Sequence, residues 1–262
     1  MEERLNPFDV EQRRAEMVAA RARDLLMSFR LDAWPIRDMS AFRRNADQLA
    51  NRFVISELAR YFPLDAVLSE EEPDRVADRI ASRRVWIVDP LDGTWNFAEG
   101  RDDWAVQIAL VVHGDPVVGA IALPSNEEAI GTRGRFVTRG RQGPLRIVVS
   151  RSRPPRWWTG FPAEAEIVAM GSVGAKVAAV IAGDADAYLH DEGMREWDAA
   201  APVAVAIAKG LHASRLDGGA LVFNSAIPIL DDLLITRPEL ADRLFRPVER
   251  IEGGRQRAAQ VS

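Results

Sequence analysis

The sequence predicts a mixed helix-and-sheet protein, an α+β half followed by an α/β half. Three observations predict it. Two long helical patterns precede the first strand pattern. Two β-rich runs flank the turn His113-Gly114-Asp115, a hairpin signal. Beyond about residue 145, short apolar strand patterns alternate with helical ones, as in an α/β arrangement.

Taken in order, residues 9–29 read as an amphipathic helix with Met17, Ala20, Leu25 and Met27 among its apolar positions. Residues 31–44 carry Pro35 and read as a loop or short hairpin. Residues 46–61 form a second helical pattern, with Leu49, Phe53, Val54 and Leu58 on one side. A short strand at 66–68 runs into Ser69-Glu70-Glu71-Glu72, and 74–82 is a short charged helix. Residues 85–88 form a buried strand ending in Asp89. The hairpin spans 104–112 and 116–123, and 128–138 adds strand material. In the second half, strands are expected at 145–150, 167–170, 185–190 and 233–236, with helices at 174–182 and 197–209. The division falls at 1–140 and 141–262, with a ligand cleft expected between the halves.

Composition narrows the function classes. With 262 residues, 47% hydrophobic and 28% charged, the chain has the balance of a soluble globular protein. No apolar run approaches the roughly 20 residues that cross a bilayer, so no membrane partner is expected. Residues 1–14 are charged and lack an apolar signal core, and there is no cysteine, so the expected location is cytoplasmic. A net charge of -5 gives no basic footprint for nucleic acid. An acidic protein that handles phosphate must supply positive charge locally, and bound metal is one way. Only two of the 34 basic residues are lysines, Lys176 and Lys209.

The chemistry concentrates in Trp86-Ile87-Val88-Asp89-Pro90-Leu91-Asp92-Gly93-Thr94. An apolar strand delivers one aspartate, proline interrupts the hydrogen-bond ladder, and a second aspartate follows. Two carboxylates and the Leu91 carbonyl can then aim at one point, the oxygen donors that a hard cation such as Mg²⁺ takes. Gly93 lets backbone N–H groups approach an anion, and a helix starting near Thr94 would add its dipole. An ordinary Asp-Pro-x-Asp-Gly turn is the plain alternative. Three more segments bear on it. Glu70-Glu71-Glu72 reads alone as a solvated acidic loop. Asp198 in Glu196-Trp197-Asp198 reads alone as a charge complementing a helix dipole. Gly171-Ser172-Val173-Gly174-Ala175-Lys176 reads alone as a strand-to-helix turn.

Together these segments resemble the inositol monophosphatase superfamily. The resemblance rests on Asp89 to Thr94 with Asn96-Phe97, on Glu70-Glu71 upstream, and on Trp197-Asp198 with Ala200-Ala201 downstream. Ala182-Gly183 with Asp186-Ala187-Tyr188 resembles the strand before the last metal aspartate. The resemblance spans roughly residues 10–245. It implies a layered αβαβα sandwich of the inositol monophosphatase and fructose-1,6-bisphosphatase type, holding two or three Mg²⁺ ions. The implied metal ligands are Glu70, Asp89, the Leu91 carbonyl, Asp92 and Asp198. Thr94 with Glu70 would position and deprotonate a water held by the metal, with Asp92 in the catalytic set. Gly93 and Thr94 would hold the phosphate through their backbone N–H groups. Sensitivity to lithium is expected, and the resemblance leaves a homodimer open.

Within the superfamily, Gly171 to Lys176, residues 101–110 and residues 212–218 resemble the CysQ-type 3'-phosphoadenosine 5'-phosphate phosphatases. The implied substrate is a small phosphorylated molecule, bound through Ser172, Lys176 and Asp198 besides Gly93 and Thr94. Arg195 or Arg215 is expected to help Lys176. A sugar phosphate substrate, or a non-catalytic binding role, stands as the alternative. Two departures stand out. Trp95-Asn96 replaces the basic residue and glutamate of the CysQ type, Asn96 being closer to the inositol phosphatases. No aspartate is evident in the loop before Asp47 to pair with Thr94, where Ser40, Ala41 and Phe42 stand, unless Asp38 reaches it.

Overall fold

The structure, a computed structural model, describes residues 7–33, 35–134, 143–155 and 164–245. Helices α1 (Asp9–Asp32) and α2 (Met39–Tyr61) lead into strand β1 (Ala66–Ser69) and the short α3 (Val76–Ala81). Strand β2 (Arg84–Asp92) delivers the chain to α4 (Thr94–Ala98), and β3 (Ala105–Val112) and β4 (Asp115–Ala122) form the hairpin. Then come β5 (Ile130–Gly131), β6 (Arg146–Ser150), β7 (Glu166–Met170), α5 (Val173–Ala182), β8 (Ala187–His190) and β9 (Met194–Arg195). The described chain ends with α6 (Glu196–Ala208), β10 (His212–Ser214), β11 (Ile229–Leu230), β12 (Leu233–Thr236) and α7 (Ala241–Leu244).

Two five-stranded sheets result, ordered β1-β2-β3-β4-β5 and β10-β12-β8-β6-β7. Helices α1 and α2 pack on one face of the first sheet, while α5 and α6 fill the space between the sheets. The end of the described chain, with Leu240 and Leu244, covers the outer face of the second sheet. These five layers are the expected αβαβα sandwich. Strand periodicity explains why β2 serves both cores. Val85 and Ile87 face α5 and α6, whereas Trp86 and Val88 face α1 and α2. Trp86 is fully buried and donates its indole N–H to Asp65 at 2.9 Å, so truncation to alanine should cost about 3–5 kcal/mol. By the same alternation Asp89 emerges on the α6 side, where Asp198 sits.

The structure corrects three local expectations. Helix α2 begins at Met39 instead of 46, because the Asp38 side chain caps it by accepting the Ala41 N–H at 2.9 Å. Strand β2 does not stop at Asp89. It continues to Asp92 with a register shift between the two aspartates, where Pro90 contributes no N–H to the ladder. Of the strand material at 128–138, only Ile130–Gly131 pairs among the described residues, and 135–138 lie outside them.

Candidate active site

A cleft of about 570 Å³ opens where the end of β2 meets the starts of α5 and α6. Its lining includes Glu70, Asp89, Leu91, Asp92, Gly93, Thr94, Lys176 and Asp198, all singled out in the sequence. Ser172 is the exception. It caps α5, its hydroxyl accepting the Ala175 N–H at 2.9 Å, and it does not line the cleft.

One wall is acidic. Asp89 is buried and folds back to accept the Leu91 N–H at 3.1 Å. Burial and the charges of Glu70, Asp92 and Asp198 push its carboxyl well above the usual range. Burial, with Glu71, Asp92 and Asp47 around it, pushes Glu70 up to about 7. Asp198 reaches about 8, through burial first and then Asp92 and Glu70. Asp92 is raised by burial but held back by Lys176 and by the Gly174 N–H, which reaches its Oδ2 at 3.1 Å. Gly174 must be glycine for this, since a Cβ there would meet the Ala105 side chain at 2.8 Å. The β2–α4 turn runs through Gly93 at φ +89°, a left-handed conformation that glycine adopts freely.

Thr94 has the carboxylate partner that was not evident in the sequence. Its Oγ1 lies 3.1 Å from Asp47 Oδ1 and 3.1 Å from the Leu91 carbonyl oxygen. Asp47 sits two turns into α2, so the partner comes from the helix and not from the loop before it. Burial and Glu71 push its carboxyl up to about 6. The Ser69-Glu70-Glu71-Glu72 turn is fixed by Asn51, also on α2. The Asn51 amide donates to Glu72 at 2.7 Å and its carbonyl oxygen accepts from Ser69 at 2.8 Å.

The basic wall of the cleft adjoins the acidic one. Lys176 is buried, donates to the Gly171 carbonyl at 2.6 Å and lies 5.1 Å from the Tyr188 ring centroid. Burial lowers its pKa to about 8. Arg153 lines the cleft beside it and reaches Asp198 of the acidic wall at 4.0 Å. Arg195 lines the cleft too, stacked over Trp197 at 5.4 Å. Arg215 does not. It is taken up by Asp217, Asp231 and Asp232, away from the cleft. Tyr188 Oη, His190 Nε2 and Trp197 Nε1 are buried without hydrogen-bond partners among the described residues, and all three side chains line the cleft. Burial, helped by Arg153 and Lys176, lowers His190 to about 4, so its imidazole stays neutral at pH 7.

A third feature ties the walls together. Arg151 donates to Asn96 at 3.0 Å and pairs with Asp103 at 2.6 Å, and Asp103 also accepts the Gly171 N–H at 2.8 Å. Asn96, a departure in the sequence, thus braces α4 against the second sheet. Asp47, Asn51 and Arg153 were not legible in advance.

The donors of the acidic wall suit a hard divalent cation in kind: carboxylates and a carbonyl, with no thiolate. Among the described residues no three acidic or imidazole groups converge into a finished coordination shell. The mutual elevation of Glu70, Asp89 and Asp198 nonetheless places them in one another's field, and a cation is the charge that would offset it.

Comparison with known proteins gives three findings. The family model described as the inositol monophosphatase family matches residues 38–252. The chain is 48% identical over 212 residues to the 3'-phosphoadenosine 5'-phosphate phosphatase of Mycobacterium tuberculosis, covering 76% of this chain and 79% of that one. Its likeness to the phosphatase of that name in Mycobacterium leprae is 44% over 222 residues, covering 78% and 81%. Among solved structures, CysQ from Bacteroides thetaiotaomicron shares the fold at TM-score 0.75 and 23% identity, over 88% of this chain and 98% of that one.

Proposed function

Because the chain belongs to the inositol monophosphatase family, we propose that it is a magnesium-dependent phosphatase acting on 3'-phosphoadenosine 5'-phosphate. The reaction removes the 3'-phosphate, giving AMP and inorganic phosphate. The observation that carries this reading is the presence of a carboxylate cluster and of Lys176 and Arg153 within a single cleft. A substrate with two phosphates can place one on each.

Members of the family are generally metal-dependent, and Glu70, Asp89, the Leu91 carbonyl, Asp92 and Asp198 are the residues that would hold two or three Mg²⁺ ions. A cation bound there supplies Lewis-acid neutralisation of the phosphoryl oxygens and makes water more acidic. The chain's own groups do the rest. The Gly93 and Thr94 backbone N–H groups would hold the phosphoryl oxygens. The Thr94 hydroxyl, set between Asp47 and the Leu91 carbonyl, orients the attacking water. Glu70 takes one proton from that water, assisted by Asp47 through the Thr94 hydroxyl. The water oxygen bonds to phosphorus, the bond to O3' breaks, the 3'-oxygen takes a proton from solvent water, and Glu70 returns its proton to solvent. Lys176 and Arg153 hold the 5'-phosphate. A fixed charge pair of this kind supplies positioning, which phosphoryl transfer needs more than covalent chemistry.

A sugar monophosphate substrate is the second reading, favoured by Asn96. Phosphate release from 3'-phosphoadenosine 5'-phosphate, inositol 1-phosphate and fructose 1,6-bisphosphate, measured with Mg²⁺, separates the two. We expect kcat/KM for the nucleotide to exceed the others by at least about tenfold, a margin of about 1.4 kcal/mol in transition-state binding. Equal or better turnover of inositol 1-phosphate would overturn the nucleotide assignment.

A further inference from the structure

Trp95 follows Thr94 directly and lines the cleft, yet 66% of its surface is exposed. An indole left bare at that level contributes little to folding, so core packing does not explain it. It is held in place all the same. The Arg43 guanidinium carbon sits 3.4 Å from the ring centroid, a stacked cation–π contact. Arg43 Nη1 is buried with no hydrogen-bond partner among the described residues. Arg43 itself does not line the cleft. It therefore covers one face of the ring from outside the cleft lining, while the indole itself borders the cleft. Arg43 is also one turn before Asp47 on α2, and its positive charge acts on that carboxylate. The element that supplies the acceptor for Thr94 thus also backs Trp95.

We propose that Trp95, backed by Arg43, is a stacking platform for the purine base of the substrate and so determines specificity for a nucleotide. This rests on the nucleotide reading above. A flat π-face is what stacking on an indole requires, and a saturated polyol ring lacks one. The guanidinium behind the ring fixes its orientation before the ligand arrives, which reduces the ordering cost of binding.

The test compares two bisphosphates that share both phosphates and differ in the base: 3'-phosphoadenosine 5'-phosphate and ribose 3,5-bisphosphate. The quantity read is the ratio of their kcat/KM values, measured with Mg²⁺ on the full chain. Trp95→Ala should lower that ratio about tenfold. Trp95→Phe, which keeps a π-face, should hold it within about threefold of the parent. Arg43→Ala should lie between them. A ratio within twofold of the parent in Trp95→Ala overturns the platform, as does an equal fall in Trp95→Phe and Trp95→Ala.

AMP binding, followed by calorimetry, is the second measurement, and it is independent of turnover. AMP affinity that falls about tenfold in Trp95→Ala and is largely kept in Trp95→Phe supports the platform even if the parent hydrolyses neither bisphosphate. In that event only the assigned reaction is lost. Full hydrolysis of the nucleotide with AMP affinity indifferent to Trp95 keeps the reaction and removes the platform.

Discussion

The two walls of the cleft solve the problem of holding phosphate in opposite ways. On the β2 side, Glu70, Asp89, Asp92 and Asp198 repel one another, and three of them are pushed far above the ordinary carboxylate range. That wall repels an anion unless positive charge is brought to it. In the basic wall, Lys176 on α5 and Arg153 just beyond β6 present charge that belongs to the chain itself, with Lys176 anchored to the Gly171 carbonyl. Under the proposed function, the first wall would take its charge from bound cations. The second is ready before any ligand arrives. Under the proposed function, a substrate with one phosphate would need the first wall only, and selectivity for a bisphosphate would rest on the second.

The largest effect should follow from removing one carboxylate of the acidic wall. Asp198→Asn is expected to lower kcat by on the order of a thousandfold, comparable with loss of a principal electrostatic contact in other active sites. The metal-free variant should melt at a higher temperature than the parent near pH 7, because asparagine need not take up a proton on folding as the buried Asp198 does. The stabilisation by Mg²⁺ should shrink at the same time, since ligand binding to the folded state raises the melting point. A variant that keeps its turnover and its Mg²⁺-dependent melting shift breaks the assignment of this wall to cations.

The basic wall should answer differently. Lys176→Ala is expected to raise KM for 3'-phosphoadenosine 5'-phosphate about tenfold, and to raise KM for a monophosphate ester by less than about twofold. Loss of an interaction made equally in ground and transition states appears in KM with little change in kcat. Equal changes for both substrates would assign Lys176 to the scissile phosphate and erase the distinction between the walls.

The acidic wall was the more legible of the two in the sequence, and for a physical reason. A strand that ends Asp89-Pro90-Leu91-Asp92-Gly93 leaves a mark because proline and glycine restrict the backbone wherever they stand. Asp198 at the first turn of an alanine-rich helix completes the pattern. Asp47 leaves no such mark. It lies within an ordinary amphipathic helix, where a surface carboxylate and a site carboxylate look alike. The loop candidate Asp38 turns out to be a helix cap. Arg153 is hidden in the same way, one arginine among the 34 basic residues, identified only by its approach to Asp198. The five layers were legible from the element order and from the superfamily resemblance. The two-residue strands β9 and β11 were not, since a pair that short carries no periodicity.

The smallest effect concerns the metal-free protein and separates the walls by the sign of their pH dependence. Asp47 at about 6, Glu70 at about 7 and Asp198 at about 8 hold protons more tightly when folded than when unfolded, where carboxyls titrate near 4. Their contribution to stability is complete below the unfolded values and is lost as pH rises through the folded ones. Lys176 works in the other direction. Its folded pKa of about 8 lies below the ordinary 10.5, so the folded state binds fewer protons between those values and stability recovers as pH rises across them. The two walls together predict a minimum in metal-free Tm near pH 8. Melting in a chelator from pH 5 to 10 checks it. Asp198→Asn should make the falling limb shallower, and Lys176→Met should remove the rising limb. A Tm that climbs steadily from pH 5 to 8 would show that the carboxylates of the acidic wall are not a proton-binding group of the folded chain.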